Sequence, residues 1–422
     1  MSARRSRTRR WHIPPLPPIE PERSLAAAIL RETAGEMGVL LWRTLRTVHA
    51  WGTTPPADRP LLFSPDALDR RMADLLAAAP DPAVESPLRM LAALTGDPVG
   101  IDADRVALAC LGVAAWAQDA GRPATCAEFT FAAVLACPGS PIYALASARE
   151  SRDHGRHEEA EAMYQRVIAL ARQLPDWDSY VRAHAGLGKL AQARGAYPSA
   201  RKSLLRAYRA AERHHLRTLR AMVLHDLFTV EVDCGSMGEA ERYAEAAVAA
   251  YGSQHAMLPI LAFDIAVYWV DQGRFREALP VFREVLPRLA PEQQVNGWGN
   301  IARAAGGMGD GNTFEIACER VMAAPESSPR KVDALRETAY GAFYLGYLDR
   351  AAALSREALV LAHLRGDHKT VFVGETLLTR IEDVRSGSVV HETTVQEAPA
   401  RERLLSDILV EKLGRASGAV PS

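Results

Sequence analysis

Apolar residues recur along most of this chain at intervals of three and four positions, which is the period of an amphipathic α-helix. The periodic stretches are interrupted seven times by a glycine, one residue, a bulky residue, two polar residues and a small residue. Each interruption predicts a turn between two helices, with the glycine closing the first helix in a left-handed conformation. The glycines are Gly121, Gly155, Gly195, Gly235, Gly273, Gly309 and Gly346.

The even spacing of these glycines predicts an array of helical hairpins. Successive glycines are separated by 34, 40, 40, 38, 36 and 37 residues, so each interval holds two helices. A small side chain five residues after the glycine lets neighbouring helices approach closely, and five copies have alanine there: Ala160, Ala200, Ala240, Ala278 and Ala351. The Gly121 and Gly309 copies match least well, with Cys126 and Phe314 at that position.

The pattern resembles the tetratricopeptide repeat family. The copy around Gly195 has Leu187 and Gly188 before the turn and Tyr197, Ala200 and Ala207 after it, as the family pattern does. The resemblance extends over residues 104–381. It implies an all-α protein, a right-handed α-solenoid of about seven helical hairpins with helical caps at both ends. Most intervals exceed the family's usual length of about 34 residues, so we expect longer helices or loops.

The regions outside the array are predicted from composition and helical period. Residues 1–23 have five arginines before the first acid, Glu20, together with a proline cluster, and predict a solvated arm; binding of phosphate groups through the arginines, with Trp11 stacking, is the alternative. Residues 24–103 predict a helical cap, with one helix over 24–52 that begins at Ser24 and further helices over 65–79 and 85–94.

The C-terminal residues predict a capping helix over 367–385, a linker over 382–400 and an amphipathic helix over 401–415. The final helix has an apolar stripe that must be buried somewhere, formed by Leu404, Leu405, Ile408, Leu409 and Leu413. Two hypotheses account for the stripe. The helix docks back on the array, or it mediates self-association or partner binding.

Composition favours a soluble cytoplasmic protein of bacterial type. The formal net charge is -1, so no field of the whole molecule attracts nucleic acid or a membrane. The five cysteines are widely spaced and include no C-x-x-C pair, which fits a reducing compartment. No apolar run reaches the roughly 18 residues of a membrane span, and prolines follow the N-terminal arginines where a signal peptide would be apolar. We therefore expect no export and no membrane contact.

No sequence pattern indicates catalysis, a cofactor or a metal. Neither type of glycine-rich phosphate loop is present. A cluster of zinc-ligand residue types occurs at His214, His215, His225, Asp226, Asp233 and Cys234. His225 and Asp233 are eight residues apart on one helix, about 12 Å, which is too far for one ion without other ligands. We therefore predict that the protein is not an enzyme and requires no cofactor.

The family resemblance implies a concave groove lined by the first helices of the hairpins. Its register places basic and polar residues at one end and mainly arginines and aromatics at the other. The first group is Arg149, Arg152, Arg182, Lys189 and Gln192; the middle of the groove has His225, Phe263 and Val267; the second group is Arg303, Arg336, Tyr340, Phe343 and Tyr344. Converging arginines bind carboxylates through paired hydrogen bonds, and exposed aromatic side chains supply contact area, so an extended acidic or amphipathic peptide is the expected ligand. An ordinary solvated groove is the alternative, and the C-terminal helix is an alternative cover for the aromatic end.

These observations favour a non-enzymatic scaffold or adaptor that binds a peptide segment of another protein. Two other hypotheses stay open. The chain is a regulator whose repeats respond to a ligand or peptide, or it associates with nucleic acid through the N-terminal arm. Repeat arrays of one architecture serve many functions, so the sequence does not identify the partner.

Overall fold

A computed structural model describes residues 12–16, 27–388 and 400–417. Every regular element in these ranges is helical. The N-terminal region contains four α-helices: α1 (Ala27–Glu32), α2 (Gly35–Thr53), α3 (Ala67–Ala78) and α4 (Pro82–Ala92). Short 3-10 helices follow α2 and α4, at Arg59–Leu61 and Ala93–Thr95.

Seven helical hairpins follow in chain order. Their helices are α5 (Ala103–Asp119) and α6 (Pro123–Ala136), α7 (Pro141–Asp153) and α8 (His157–Gln173), α9 (Trp177–Ala193) and α10 (Tyr197–Arg213), α11 (Arg217–Asp233) and α12 (Met237–Tyr251), α13 (Leu258–Asp271) and α14 (Phe275–Val285), α15 (Pro291–Gly307) and α16 (Gly311–Met322), and α17 (Lys331–Tyr344) and α18 (Leu348–Arg365). A 3-10 helix, Leu286–Arg288, follows α14. The chain ends with α19 (His368–Arg385) and α20 (Ala400–Ser417).

Each of the seven glycines lies between the two helices of one hairpin and has a positive φ, from +66° to +78°. The third hairpin shows why glycine is needed there. The amide of Ala196 donates to the oxygen of Ala191 at 2.9 Å, and the amide of Gly195 donates to Gln192 at 2.9 Å. These bonds satisfy the last carbonyls of α9, and they require the left-handed backbone that glycine adopts without strain.

The position five residues after each glycine is buried in every hairpin. The five alanines there have 0% exposure, and the two departures from the pattern, Cys126 and Phe314, have 6% and 0%. The position is therefore a packing position whether or not its side chain is small.

The chain divides into two compact units, residues 1–226 and 227–422, and the division falls within α11. The first unit contains the N-terminal helices and the first three hairpins. Its largest buried side chains include Trp51, Phe129 and Tyr164. The second unit contains the last three hairpins, α19 and α20, with Trp269, Phe282 and Phe314 among its buried residues.

The N-terminal region contains two helices where the sequence pattern predicted one over 24–52. The chain breaks at Thr33 and Ala34, and Gly35 has a φ of +72°. A side chain at Gly38 would overlap the carbonyl oxygen of Thr33, so the break is tightly packed. The carboxylate of Glu32 accepts hydrogen bonds from the amides of Ala124 and Thr125 at 2.6 and 2.8 Å. The break therefore lets α1 supply a negative charge at the start of α6. Ser24 lies outside the described residues.

Residues 12–16, which belong to the predicted N-terminal arm, pack on the core of the first unit. Ile13 and Leu16 pack on the hydrophobic core, and the buried guanidinium of Arg166 donates to the carbonyl oxygens of Pro14 and, at 2.6 Å, Pro138. Residues 12–16 are therefore attached, contrary to the expectation of a solvated arm. The arginines of the predicted arm and Trp11 lie outside the described residues.

Candidate functional site: a basic cavity in the first unit

Three consecutive first helices, α7, α9 and α11, form a cavity of about 230 Å³. Arg149 and Arg152 come from α7, and Arg182 and Lys189 from α9. Four of the five residues predicted for the basic end of the groove therefore line one cavity. The remaining lining includes Tyr164, Gly186 and Asp226, with apolar residues of α9 and α11.

Three of the four cations have a carboxylate partner within this unit. Arg152 pairs with Asp153 at 2.7 Å, Arg182 with Asp178 at 2.5 Å, and Lys189 with Asp226 at 2.9 Å. Their side chains are 23%, 30% and 46% exposed, so solvent screens these pairs and each contributes little to stability. Each of these three cations is therefore neutralised by its own carboxylate.

Arg149 differs from the other three cations. Its side chain is exposed, and it makes no hydrogen bond or ion pair with any described residue. Partial desolvation, followed by the positive charge of Arg182, lowers the pKa of Arg149. Among the described residues, Arg149 is therefore the cation of this cavity that has no direct carboxylate partner, and Asp178 acts on its charge only at longer range.

Tyr164 of α8 also lines the cavity. Its ring is fully buried, and its hydroxyl accepts a hydrogen bond from Nη1 of Arg152 at 3.3 Å. Burial raises the pKa of Tyr164 against the opposing effect of Arg152 and Arg149, so the phenol is neutral near pH 7. A side chain at Gly186 would overlap the ring. Glycine within an otherwise helical stretch is the sequence signal that marks this close approach.

Gln192 and His225 do not line the cavity. Gln192 lies on α9 and is partly buried. His225 lies on α11 and is only 7% exposed. The helical register predicted that His225 faces a ligand, but the side chain is inside the packed helices and is not a surface contact.

The arginines predicted for the other end of the groove are held in an ion-pair network of the second unit. Nη1 of Arg303 lies 2.8 Å from Asp271 and 2.7 Å from Glu337. Arg336 lies 2.7 Å from Glu337 and 3.2 Å from Asp333. Burial raises the pKa of Glu337, but the two guanidiniums outweigh it and the net shift is downward. Arg303 and Arg336 are therefore already neutralised within the protein.

The predicted aromatic residues also pack within the second unit. The guanidinium of Arg303 lies 4.9 Å above the ring of Tyr340, and the rings of Tyr340 and Tyr344 are 6.3 Å apart. The ring of Phe263 is 5.5 Å from Phe282, and Phe343 is only 3% exposed. Tyr340, Tyr344, Phe263 and Val267 are partly buried. The sequence predicted arginines and aromatic residues that are free to bind a ligand at this end of the groove. In the structure the arginines are paired with acids, and the aromatic side chains are partly or fully buried.

A comparison with protein families is consistent with this geometry. A tetratricopeptide repeat model matches residues 148–213, a segment that contains all four cations of the basic cavity. The same hairpin, with glycine at its turn and a buried position five residues later, recurs through the array. Residues 148–213 therefore match tetratricopeptide repeats.

Solved structures with likeness to this chain include the aspartyl phosphate phosphatase F of Bacillus subtilis, at 11% identity and a TM-score of 0.46, over 91% of this chain and 100% of that one. A Rap protein in complex with competence and sporulation factor has 10% identity and a TM-score of 0.44, over 84% and 99%. The protein BtubC of P. vanneervenii has 15% identity and a TM-score of 0.40, over 52% and 89%. None of the curated proteins compared with the chain matches it.

Two further observations concern membrane-spanning helices and metal-binding side chains. No helix within the described ranges is both long and apolar enough to cross a membrane. Across the same residues, no three histidine, cysteine, aspartate or glutamate side chains come together in a way that could hold a metal ion.

Proposed function

We propose that this protein is a non-enzymatic interaction scaffold that binds an acidic, extended segment of another protein at the basic cavity. The tetratricopeptide repeats support a protein-interaction role. The observation that carries the finer proposal is Arg149, whose positive charge has no partner among the described residues. A carboxylate placed beside Arg149 and Arg182 relieves the repulsion that lowers the pKa of Arg149.

The charge balance of the cavity favours a single carboxylate. Four cations and three paired carboxylates leave a formal charge of 4 − 3 = +1. A volume of about 230 Å³ lies below the roughly 300 Å³ at which pockets for small organic ligands begin. The cavity therefore suits one acidic side chain of a peptide whose remaining residues lie outside it.

The described lining of the cavity has no nucleophile paired with a base. The raised pKa of Tyr164 keeps its hydroxyl protonated, so the phenol acts as a neutral hydrogen-bonding group. This chemistry supports recognition of an anion, which is why the proposal is a binding function.

The proposal is tested with extended synthetic peptides of equal length that differ only in the number of glutamates. Binding is measured by fluorescence anisotropy for the wild type, for Arg149→Glu and for Arg209→Glu, which reverses an exposed arginine on α10. We expect acidic peptides to bind better than neutral ones. Because a charge-assisted hydrogen bond contributes about 1.5–3 kcal/mol, Arg149→Glu should weaken binding about tenfold or more.

The Arg209→Glu control should bind like the wild type, and added salt should weaken binding because exposed charges are screened. If acidic and neutral peptides bind equally well, the basic cavity does not recognise acidic segments and the proposal is wrong. Equal losses in both variants would mean that only the overall charge matters.

A further inference from the structure

The C-terminal helix α20 is amphipathic and buries a stripe with four-residue spacing. Leu405, Leu409 and Leu413 are 6%, 0% and 1% exposed, and Ser406 is 5% exposed. Arg403, Glu411 and Arg415 on the helix are exposed. Amphipathic helices that bind in a hydrophobic groove use apolar side chains at this spacing.

This stripe packs on the fifth hairpin, mainly on α14 with a smaller contact to α13. We call the contacted face of α14 and its following 3-10 helix the helix seat, marked by Glu277 and Arg288. The hydroxyl of Ser406 donates to the main-chain oxygen of Glu277 at 2.8 Å, and Nη2 of Arg288 donates to the main-chain oxygen of Leu413 at 2.8 Å. Arg288 places a positive charge near the C-terminal end of α20, where the helix dipole is negative.

When α20 is docked, one buried carboxylate oxygen of the helix seat has no hydrogen bond among the described residues and a cavity remains beside the helix. Glu277 is 7% exposed, and one of its carboxylate oxygens has no hydrogen-bond partner within the part of the chain that the structure describes. A cavity of about 490 Å³ remains beside α20, lined by Val248 and Ala249 of α12 and by Leu404 and Ile408. Leu404 is 59% exposed. An unpaired buried oxygen and an unfilled apolar cavity both weaken the docking, so the contact is suited to release.

We propose that the helix seat exchanges its occupant, and that α20 of a second copy of this chain takes the place of the chain's own α20. The helix of a second copy has the same leucine stripe, serine and C-terminal carbonyls, so exchange preserves every contact described above. Eleven residues, 389–399, separate Ser388 from Ala400. A segment of this length spans up to about 36–40 Å, which lets α20 reach beyond its own hairpin. The seat is built from other residues than the basic cavity, so this proposal does not depend on the proposed function.

The first test asks whether the seat accepts a helix that is not covalently attached. A fluorescein-labelled peptide of residues 400–417 is titrated into three full-length chains: wild type, Leu409→Glu and Arg403→Glu. Leu409→Glu places a charge in the fully buried stripe and vacates the seat, whereas Arg403→Glu changes an exposed side chain of the same helix that does not line the cavity. We expect the Leu409→Glu chain to bind the peptide at least about tenfold more tightly than the other two, because the attached helix no longer competes. The same peptide with Leu409→Glu is the matched control and should not bind.

The second test asks whether a second copy is the exchange partner. Light scattering coupled to size exclusion is measured at increasing concentrations of wild type, Arg403→Glu and Leu409→Glu. We expect a dimer that grows with concentration in the first two chains, and a monomer in Leu409→Glu with unchanged helical circular dichroism. If the Leu409→Glu chain does not bind the peptide, the helix seat does not exchange. If it binds the peptide but the wild type stays monomeric at every concentration, or if Leu409→Glu still dimerises, the second copy is not the occupant.

Discussion

Arginines of this protein differ chiefly in which acids surround them. Arg303 and Arg336 share Glu337, a carboxylate that is only 5% exposed, and are thereby neutralised. Arg149 has no acid in hydrogen-bonding contact among the described residues. All three arginines project from first helices of hairpins, so the helical register alone gives them equal roles. The carboxylates that surround each arginine separate a structural arginine from one that is open to a ligand; Arg336 finds them on its own helix, and Arg303 finds them on two neighbouring helices.

His184 on α9 is a titratable residue whose environment opposes its charge. It is 4% exposed, and neither ring nitrogen has a hydrogen-bond partner in the described chain. Its ring lies 4.6 Å from that of Tyr180. Burial, followed by the positive charges of Arg206 and Arg172, lowers the pKa of His184 to about 4. The histidine is therefore neutral in the folded protein near pH 7.

We predict that His184 makes the protein less stable in mild acid. The unfolded chain binds a proton with a pKa near 6.5 and the folded chain with one near 4, so the unfolded state holds more protons between these values and stability falls as pH falls. Between about pH 7.5 and about pH 5 the loss is about 2 kcal/mol. Urea unfolding of wild type and His184→Phe at both pH values measures it. The variant should lose about 2 kcal/mol less than the wild type, and equal losses would contradict the prediction.

Two of the helices, α15 and α17, approach each other closely enough for their backbones to touch. A side chain at Gly306 would overlap the carbonyl oxygen of Gly341, and one at Gly299 would lie 2.6 Å from Cα of Ala334. Glycine in a helix costs about 1 kcal/mol relative to alanine. The close packing of the two backbones compensates for that cost because the helices make contacts over much of their length.

We predict opposite effects for two glycine-to-alanine substitutions. Gly306→Ala forces α15 away from α17 and should destabilise the protein by about 1–3 kcal/mol. Gly238→Ala is the matched control, because Gly238 is also helical but an added Cβ would meet nothing within 4 Å. It should stabilise the protein by up to about 1 kcal/mol. Thermal unfolding followed by circular dichroism compares the two, and a harmless Gly306→Ala would disprove the steric argument.

At the scale of the whole molecule, most contacts within each unit join helices that are near one another in the chain; the exceptions include α1 and α2, which pack on α6, and α20, which packs on α14. Stability in such arrays is approximately a sum of local terms and contacts between neighbours. A local defect should therefore have a local effect. We predict that Gly306→Ala speeds amide hydrogen exchange in α15 to α18 and leaves α5 to α8 unchanged. Mass spectrometry of proteolytic fragments measures this, and uniformly faster exchange would show that the whole chain opens as one cooperative unit.

Features that depend on a few adjacent residues were predictable. The seven turn glycines, the buried position after each and the cap helices α3, α4 and α19 follow from local backbone preference and helical period. The break before Gly35 was missed; Gly35 has a φ of +72°, and the contact between Glu32 and the start of α6 is a tertiary interaction that the local pattern does not show. Four of the five basic-end residues line the same cavity, but the charge on Arg149 could be assessed only after the pairs made by its neighbours were known.

The sequence by itself determined that this chain folds into helical hairpins, where each hairpin turns and that the position five residues after each turn glycine is buried. These properties arise from interactions within a few turns of helix, which residue spacing records directly. Tertiary structure decided that acids of two other helices neutralise Arg303, that Tyr164 lines the basic cavity, and that α20 docks on α14. Each of these depends on the offset between one helix and another, and that offset comes from the sum of many packing contacts, which no local pattern contains.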